Sequence, residues 1–110
     1  LVEHGANLNK EDVNGNIPLH FVCDYATVSI VKYLVEHGAN VNKENNSGET
    51  PLFNSCKNEA IVKYLIECGV DVDKEDVDGN TPLHFACDHG NEKSVKYLVE
   101  HGANINKENK

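Results

Sequence analysis

Apolar residues recur along the chain in short helical stripes separated by polar breaks. Leu83, Ala86 and Cys87 fall at i, i+3 and i+4, and Val95, Leu98 and Val99 repeat that spacing further on. The stripes predict two short amphipathic helices. Thr81-Pro82 opens the first, because a hydroxyl can cap free amides and proline suits a first turn. Gly90 and Gly102 provide the stops, glycine being at ease in the left-handed conformation of a helix end. Ahead of the pair, the run Asp76-Val77-Asp78-Gly79-Asn80 reads as a tight reversal, and Asn14-Gly15 and Ser47-Gly48 hold the same place earlier. Neither helix is long enough to stand alone. Each unit must bury its stripes against the next, which defines a solenoid.

Two landmarks share one period. Segments of the form Gly-Ala/Val-Asn/Asp-x-Asn/Asp-Lys begin at Gly5, Gly38, Gly69 and Gly102, separated by 33, 31 and 33 residues. Between them, Pro18-Leu19-His20, Pro51-Leu52-Phe53 and Pro82-Leu83-His84 recur with spacings of 33 and 31. The segment Thr81-Pro82-Leu83-His84-Phe85-Ala86 resembles the T-P-L-H-x-A signature of the ankyrin repeat, whose period is about 33 residues. The run 95–106 is similar to that family's second helix and exit turn. The resemblance covers essentially the whole chain as one domain: a partial repeat over 1–11, repeats over 12–44, 45–75 and 76–108, and the start of another at 109–110. It implies an all-α solenoid of stacked helix-turn-helix units joined by β-turn or hairpin loops. Because Leu1 is not a methionine, the chain reads as a piece of a longer one.

The repeats are not identical. Cys23 to Val31 and Cys87 to Val95 are eight steps, but Cys56 to Val62 is six. The loss falls between the helices, around Lys57-Asn58-Glu59-Ala60, and predicts a tightened reversal or a shortened first helix, with the second helix (61–67) intact. Phe53 stands where the neighbouring repeats have His20 and His84. The resemblance implies that this histidine bonds within the turn network and ties adjacent repeats together, so Phe53 must pack instead. Ile17 replaces the capping threonine, at an expected cost of about 1 kcal/mol of cap. Ala26 stands in the place of Gly90, so the helix stop there must differ or be strained.

Charge narrows the partners. Lys and Arg total 10 against 18 Asp and Glu, a formal net charge of −8. That opposes binding to nucleic-acid phosphates and suits a basic protein partner, or acidity that only aids solubility. Hydrophobic residues at 39% and charged residues at 25% fit a soluble folded protein. No run approaches the roughly 18–20 apolar residues of a bilayer span, and no basic-then-apolar leader is present. The expected location is intracellular, in the cytoplasm, where Cys23, Cys56, Cys68 and Cys87 stay reduced.

Residues that resemble chemistry have plainer explanations. His20 with Cys23 and His84 with Cys87 are paired at i, i+3, but the pairs lie two repeats apart, roughly 20 Å at about 8–10 Å per helix layer. No metal, cofactor or small-molecule substrate is expected. Cys23, Cys56 and Cys87 share one position on the predicted buried stripe, a helix layer apart and beyond the roughly 7 Å Cα limit of a disulfide. Cys68, in the exposed-turn position of His37 and His101, is the thiol expected to be reachable. His4, His37 and His101 sit in last turns, where the helix dipole favours them. No Gly-x-Ser-x-Gly, phosphate loop or paired acid/base arrangement occurs, so no catalysis is expected.

The expected function is therefore a protein-interaction scaffold. The resemblance implies a concave surface of turn tips and first helices that binds a partner protein or peptide. Its candidate contacts are Val13, Asn14, Asn16, Asp24 and Tyr25; Asn46, Ser47, Glu49, Lys57 and Asn58; and Val77, Asp78, Asn80, Asp88 and His89. Val13 and Val77 are apolar at otherwise polar tips, and Tyr25 and His89 offer ring contacts. Glu44, Glu49, Glu75, Asp78, Asp88 and Glu108 would colour the face negative, which suits a partner segment carrying Lys or Arg. The alternative is that the chain is a spacer or docking arm of a larger ankyrin-containing enzyme or channel. The resemblance further implies that Asn42 and Asn106 occupy the exit-turn position modified by asparaginyl hydroxylases, with Leu34 and Leu98 eight residues upstream.

Overall fold

In the computed structural model, residues 8–25 and 27–103 are described, except for the Tyr25 side chain. They form six helices: α1 (Pro18–Tyr25), α2 (Val28–Glu36), α3 (Pro51–Asn54), α4 (Glu59–Glu67), α5 (Pro82–Asp88) and α6 (Glu92–Glu100). The first helices α1, α3 and α5 stack in one layer, and the second helices α2, α4 and α6 in another. The result is elongated, 45 × 26 × 21 Å.

The core runs between the two layers. Leu19, Cys23, Leu52, Cys56, Leu83 and Ala86 come from the first helices, and Val31, Ile61, Val62, Leu65 and Leu98 from the second. Two positions depart from the expected stripes. Val99 is 40% exposed, and the fully buried residue on α6 is instead Ser94 beside Leu98. Cys87 is exposed, whereas its counterparts Cys23 and Cys56 are buried. The reason is visible at Cys56, whose thiol donates to the Pro82 carbonyl of the next first helix at 3.2 Å. Among the described residues no first helix lies beyond α5, so Cys87 has no such cover.

The shortened repeat loses length from its first helix. α3 has 4 residues against 8 in α1 and 7 in α5, while α4 keeps the 9 of α2 and α6. Asn58 explains the difference. Its side chain accepts from the Ala60 and Ile61 amides as the N-cap of α4, the role Asn91 plays for α6. The two absent residues thus correspond to His89 and Gly90, and without a glycine reversal α3 ends at Ser55. Ala26, the other irregular stop, lies outside the described residues.

The histidine of the first helix does what the resemblance implied. His20 is 1% exposed. Its Nδ1 accepts from the Ile17 amide at 3.0 Å. That assigns the proton to Nε2, which faces two carbonyls at 3.0 Å, Lys43 O in the exit turn of its own repeat and Glu49 O in the following repeat. The Ile17 amide is thereby met without a hydroxyl, and the Ile17 side chain is fully buried. The expected cap loss is offset in both ways. In the third repeat, His84 Nδ1 accepts from the Thr81 amide at 2.9 Å and faces the Thr81 hydroxyl at 3.0 Å. The middle repeat keeps the threonine but not the histidine. Phe53 packs edge-on to Phe85, ring centroids 5.2 Å apart at 89°, and the buried Thr50 Oγ1 has no hydrogen-bond partner.

Thr50 and Thr81 should therefore respond oppositely to loss of the hydroxyl. Thr50→Val removes an unpaired buried polar atom and is expected to leave stability unchanged or raise it by up to about 1 kcal/mol. Thr81→Val breaks the pairing with His84 and is expected to cost about 1 kcal/mol, a fall of roughly 4–8 °C in Tm. Thermal melts of the two variants beside the parent chain check this.

Candidate partner-binding face

Each turn tip is built by its first residue. Asp12 Oδ1 accepts from the Asn14 and Asn16 amides at 2.9 and 3.0 Å. Asn45 Oδ1 does the same for Ser47 and Glu49, and Asp76 Oδ1 for Asp78 and Asn80. Because a short polar side chain closes the loop from within, the following residue is turned outward. Val13 is 91% exposed and Val77 59%.

The tips are laced to one another. The Asn46 amide donates to Asn14 O and the Val77 amide to Ser47 O, both at 2.9 Å. Asn46 Nδ2 also donates to Val13 O at 3.1 Å, and Asn45 Nδ2 to Asn16 Oδ1 at 2.9 Å. Glycine is required where the loops meet. Gly48 has φ +77°, and a Cβ there would lie 3.1 Å from the Val77 nitrogen. Of the candidate contacts, Asn14, Asn16, Asn46 and Ser47 thus join repeat to repeat, while Val13, Val77 and Asp78 project from a braced edge.

On the inner helices, Asp24, Lys57, Asp88 and His89 are exposed. His89 Nδ1 donates to Phe85 O at 2.8 Å, which holds the ring against its own helix. Asn58 is not the counterpart of His89, since its carbonyl oxygen caps α4. The Tyr25 side chain and Asn106 lie outside the described residues, as does Glu108. Asn42 is exposed in the exit turn. The acidic face is partly neutralised: Glu44 pairs with Lys74 at 3.4 Å, and Glu11 with Lys43 at 2.6 Å.

Four of the candidates converge. Asp24, Glu49, Lys57 and His89 form the rim of one depression, and Phe53, Asn54, Cys56 and Phe85 form its floor. Its volume is about 120 Å³, and it draws on all three repeats. The floor was not legible as a site. Its one signal in the sequence was Phe53 replacing histidine, which predicted packing but not its place on the inner face. Among the described residues no three His, Cys, Asp or Glu side chains gather as metal ligands, and no helix is long and apolar enough to cross a membrane.

A family model described as ankyrin repeats (3 copies) matches residues 42–109, and one described as ankyrin repeats (many copies) matches residues 1–60. No curated protein matches the chain.

The cysteines divide by cover. Cys68 and Cys87 are exposed, Cys23 and Cys56 buried, and all are free thiols. Burial pushes the Cys56 thiol up from 9.0 to about 12, and burial together with the Asp24 charge does the same for Cys23. In the folded chain a thiol reagent is expected to label Cys68 and Cys87 rapidly, leaving Cys23 and Cys56 until denaturant is added. A raised pKa means that the folded state holds these protons more tightly. The resulting stability is complete below pH 9.0 and is lost as pH rises toward about 12. Alkaline melts should show that decline, and labelling followed by peptide mass mapping should show the division of the thiols.

Proposed function

Since the chain belongs to the ankyrin-repeat family, whose repeats are generally protein-interaction modules, we propose that it is a non-catalytic scaffold holding a partner protein or peptide against its tips and inner helices. The observation that carries this reading is the exposure of Val13 and Val77 on an edge braced by main-chain bonds between tips. An apolar side chain held outward on a rigid loop loses little further entropy on contact, so its burial goes to affinity.

The partner segment is basic in this reading. Asp24, Asp78 and Asp88 are exposed on the same face, and the formal charge of the chain is −8. A reducing, cytoplasmic setting accords with the free thiols. Asn42, exposed at its turn, is a candidate for hydroxylation on the family resemblance.

Binding of basic and acidic peptide panels, followed by fluorescence anisotropy at two salt concentrations, tests the proposal. Basic peptides are expected to bind and to weaken several-fold between about 0.05 and 0.5 M salt. Replacing Val13 and Val77 together by serine should weaken them by about five- to tenfold, with no change in Tm. Binding indifferent to both salt and the valines would overturn the reading.

A further inference from the structure

Resting on that reading, we propose that the depression beside the shortened α3 is a socket for a single arginine side chain of the partner. Its origin is the missing length of the middle repeat. α1 and α5, with 8 and 7 residues, flank an α3 of 4, so the inner layer has a notch at the end of its central helix. Asp24, near the end of α1, and His89, the C-cap of α5, stand on either side of it.

The size fits one side chain. At about 120 Å³ the space is well below the roughly 300–1,000 Å³ of cofactor and small-molecule pockets. The chemistry fits a guanidinium. Phe53 and Phe85 supply an aromatic floor, and arginine stacks on rings at lower dehydration cost than lysine. Asp24 and Glu49 bring carboxylates to the rim.

A third feature is independent of charge. Asn54 lines the same depression, and its Oδ1 is buried with no hydrogen-bond partner. A buried acceptor without a donor is costly and uncommon. A turn of the Asn54 side chain into the depression would offer this oxygen to a guanidinium, whose fork of five N–H donors meets it and a carboxylate at once better than a single ammonium does. Lys57, on the same rim, opposes a second cation nearby. The socket therefore selects one arginine within a segment, not a continuous basic run.

The test uses the 110-residue chain and short peptide libraries that are uncharged except for one central arginine, lysine or citrulline. Selected peptides are measured by fluorescence anisotropy against the parent chain, Asn54→Leu, Asp24→Asn with Glu49→Gln, and Phe85→Ala. Thermal melts report folding of each. Arginine peptides are expected to dominate, with exchange to lysine weakening them about tenfold and exchange to citrulline more. Asn54→Leu should weaken them by about fivefold while preserving or raising Tm, a combination that lost packing does not produce. This arm stands even where Phe85→Ala fails to fold. Equal yields from the three libraries, or arginine peptides untouched by Asn54→Leu and the paired acid variants, would overturn the socket. If those peptides still weaken when Val13 and Val77 become serine, the scaffold reading survives that failure. If no library yields a binder, both readings fall.

Discussion

A second helix of 9 residues, as α2, α4 and α6 each are, is too short to persist alone in water. Its only stable state is one with its apolar stripe covered by the neighbouring repeat, so every feature of this molecule answers to stacking. Ile61 shows the demand most directly. It is fully buried with α2 packed on one side of α4, whereas Ile30, at the same place on α2, is 47% exposed at the edge of the described stack. The polar groups obey the same demand. His20 reaches forward to the Glu49 carbonyl of the next repeat, and Asn91 both caps α6 and donates back to Lys57 O at 2.8 Å. Surface ion pairs between repeats follow the same direction but add little, being half-exposed.

The middle repeat shows how far this plan bends. It has lost a histidine and two residues, yet its second helix is undisturbed, because Asn58 caps it as Asn91 caps α6. What changes is confined to the inner layer. Phe53 turns to Phe85, Thr50 is left with an unpaired hydroxyl, and Ser55 bonds back to Leu52 O at 2.8 Å to finish a one-turn helix. The outer layer keeps its register, and the inner layer acquires a concavity.

Much of this was open to inspection in the sequence. The glycine and proline landmarks mark positions that only particular residues can fill, so the period, the helix pairs and the position of the deletion could all be counted. The exposed valines followed from their polar surroundings. Other features depend on what lies across from a residue, which spacing does not encode. Cys87 shares the stripe position of Cys56 but not its cover. Asn46 looks like a free polar tip, yet its amide and side chain both serve the preceding repeat. Counted forward from Cys56, Asn58 matches His89. Counted back from the second helix it matches Asn91, and the capping bond decides between the two.

A linear array has a mechanical property that a globule with one central core lacks. Tension applied between its ends passes through every interface in series, and the array parts where the joint between neighbours is weakest. Here the second-helix layer is continuous through the middle repeat, while the first-helix layer is held there by one turn of helix. A load along the axis therefore falls unevenly on the two layers. On the inner side the bonds between tips, and the one from His20 to Glu49 O, must carry what the short helix does not.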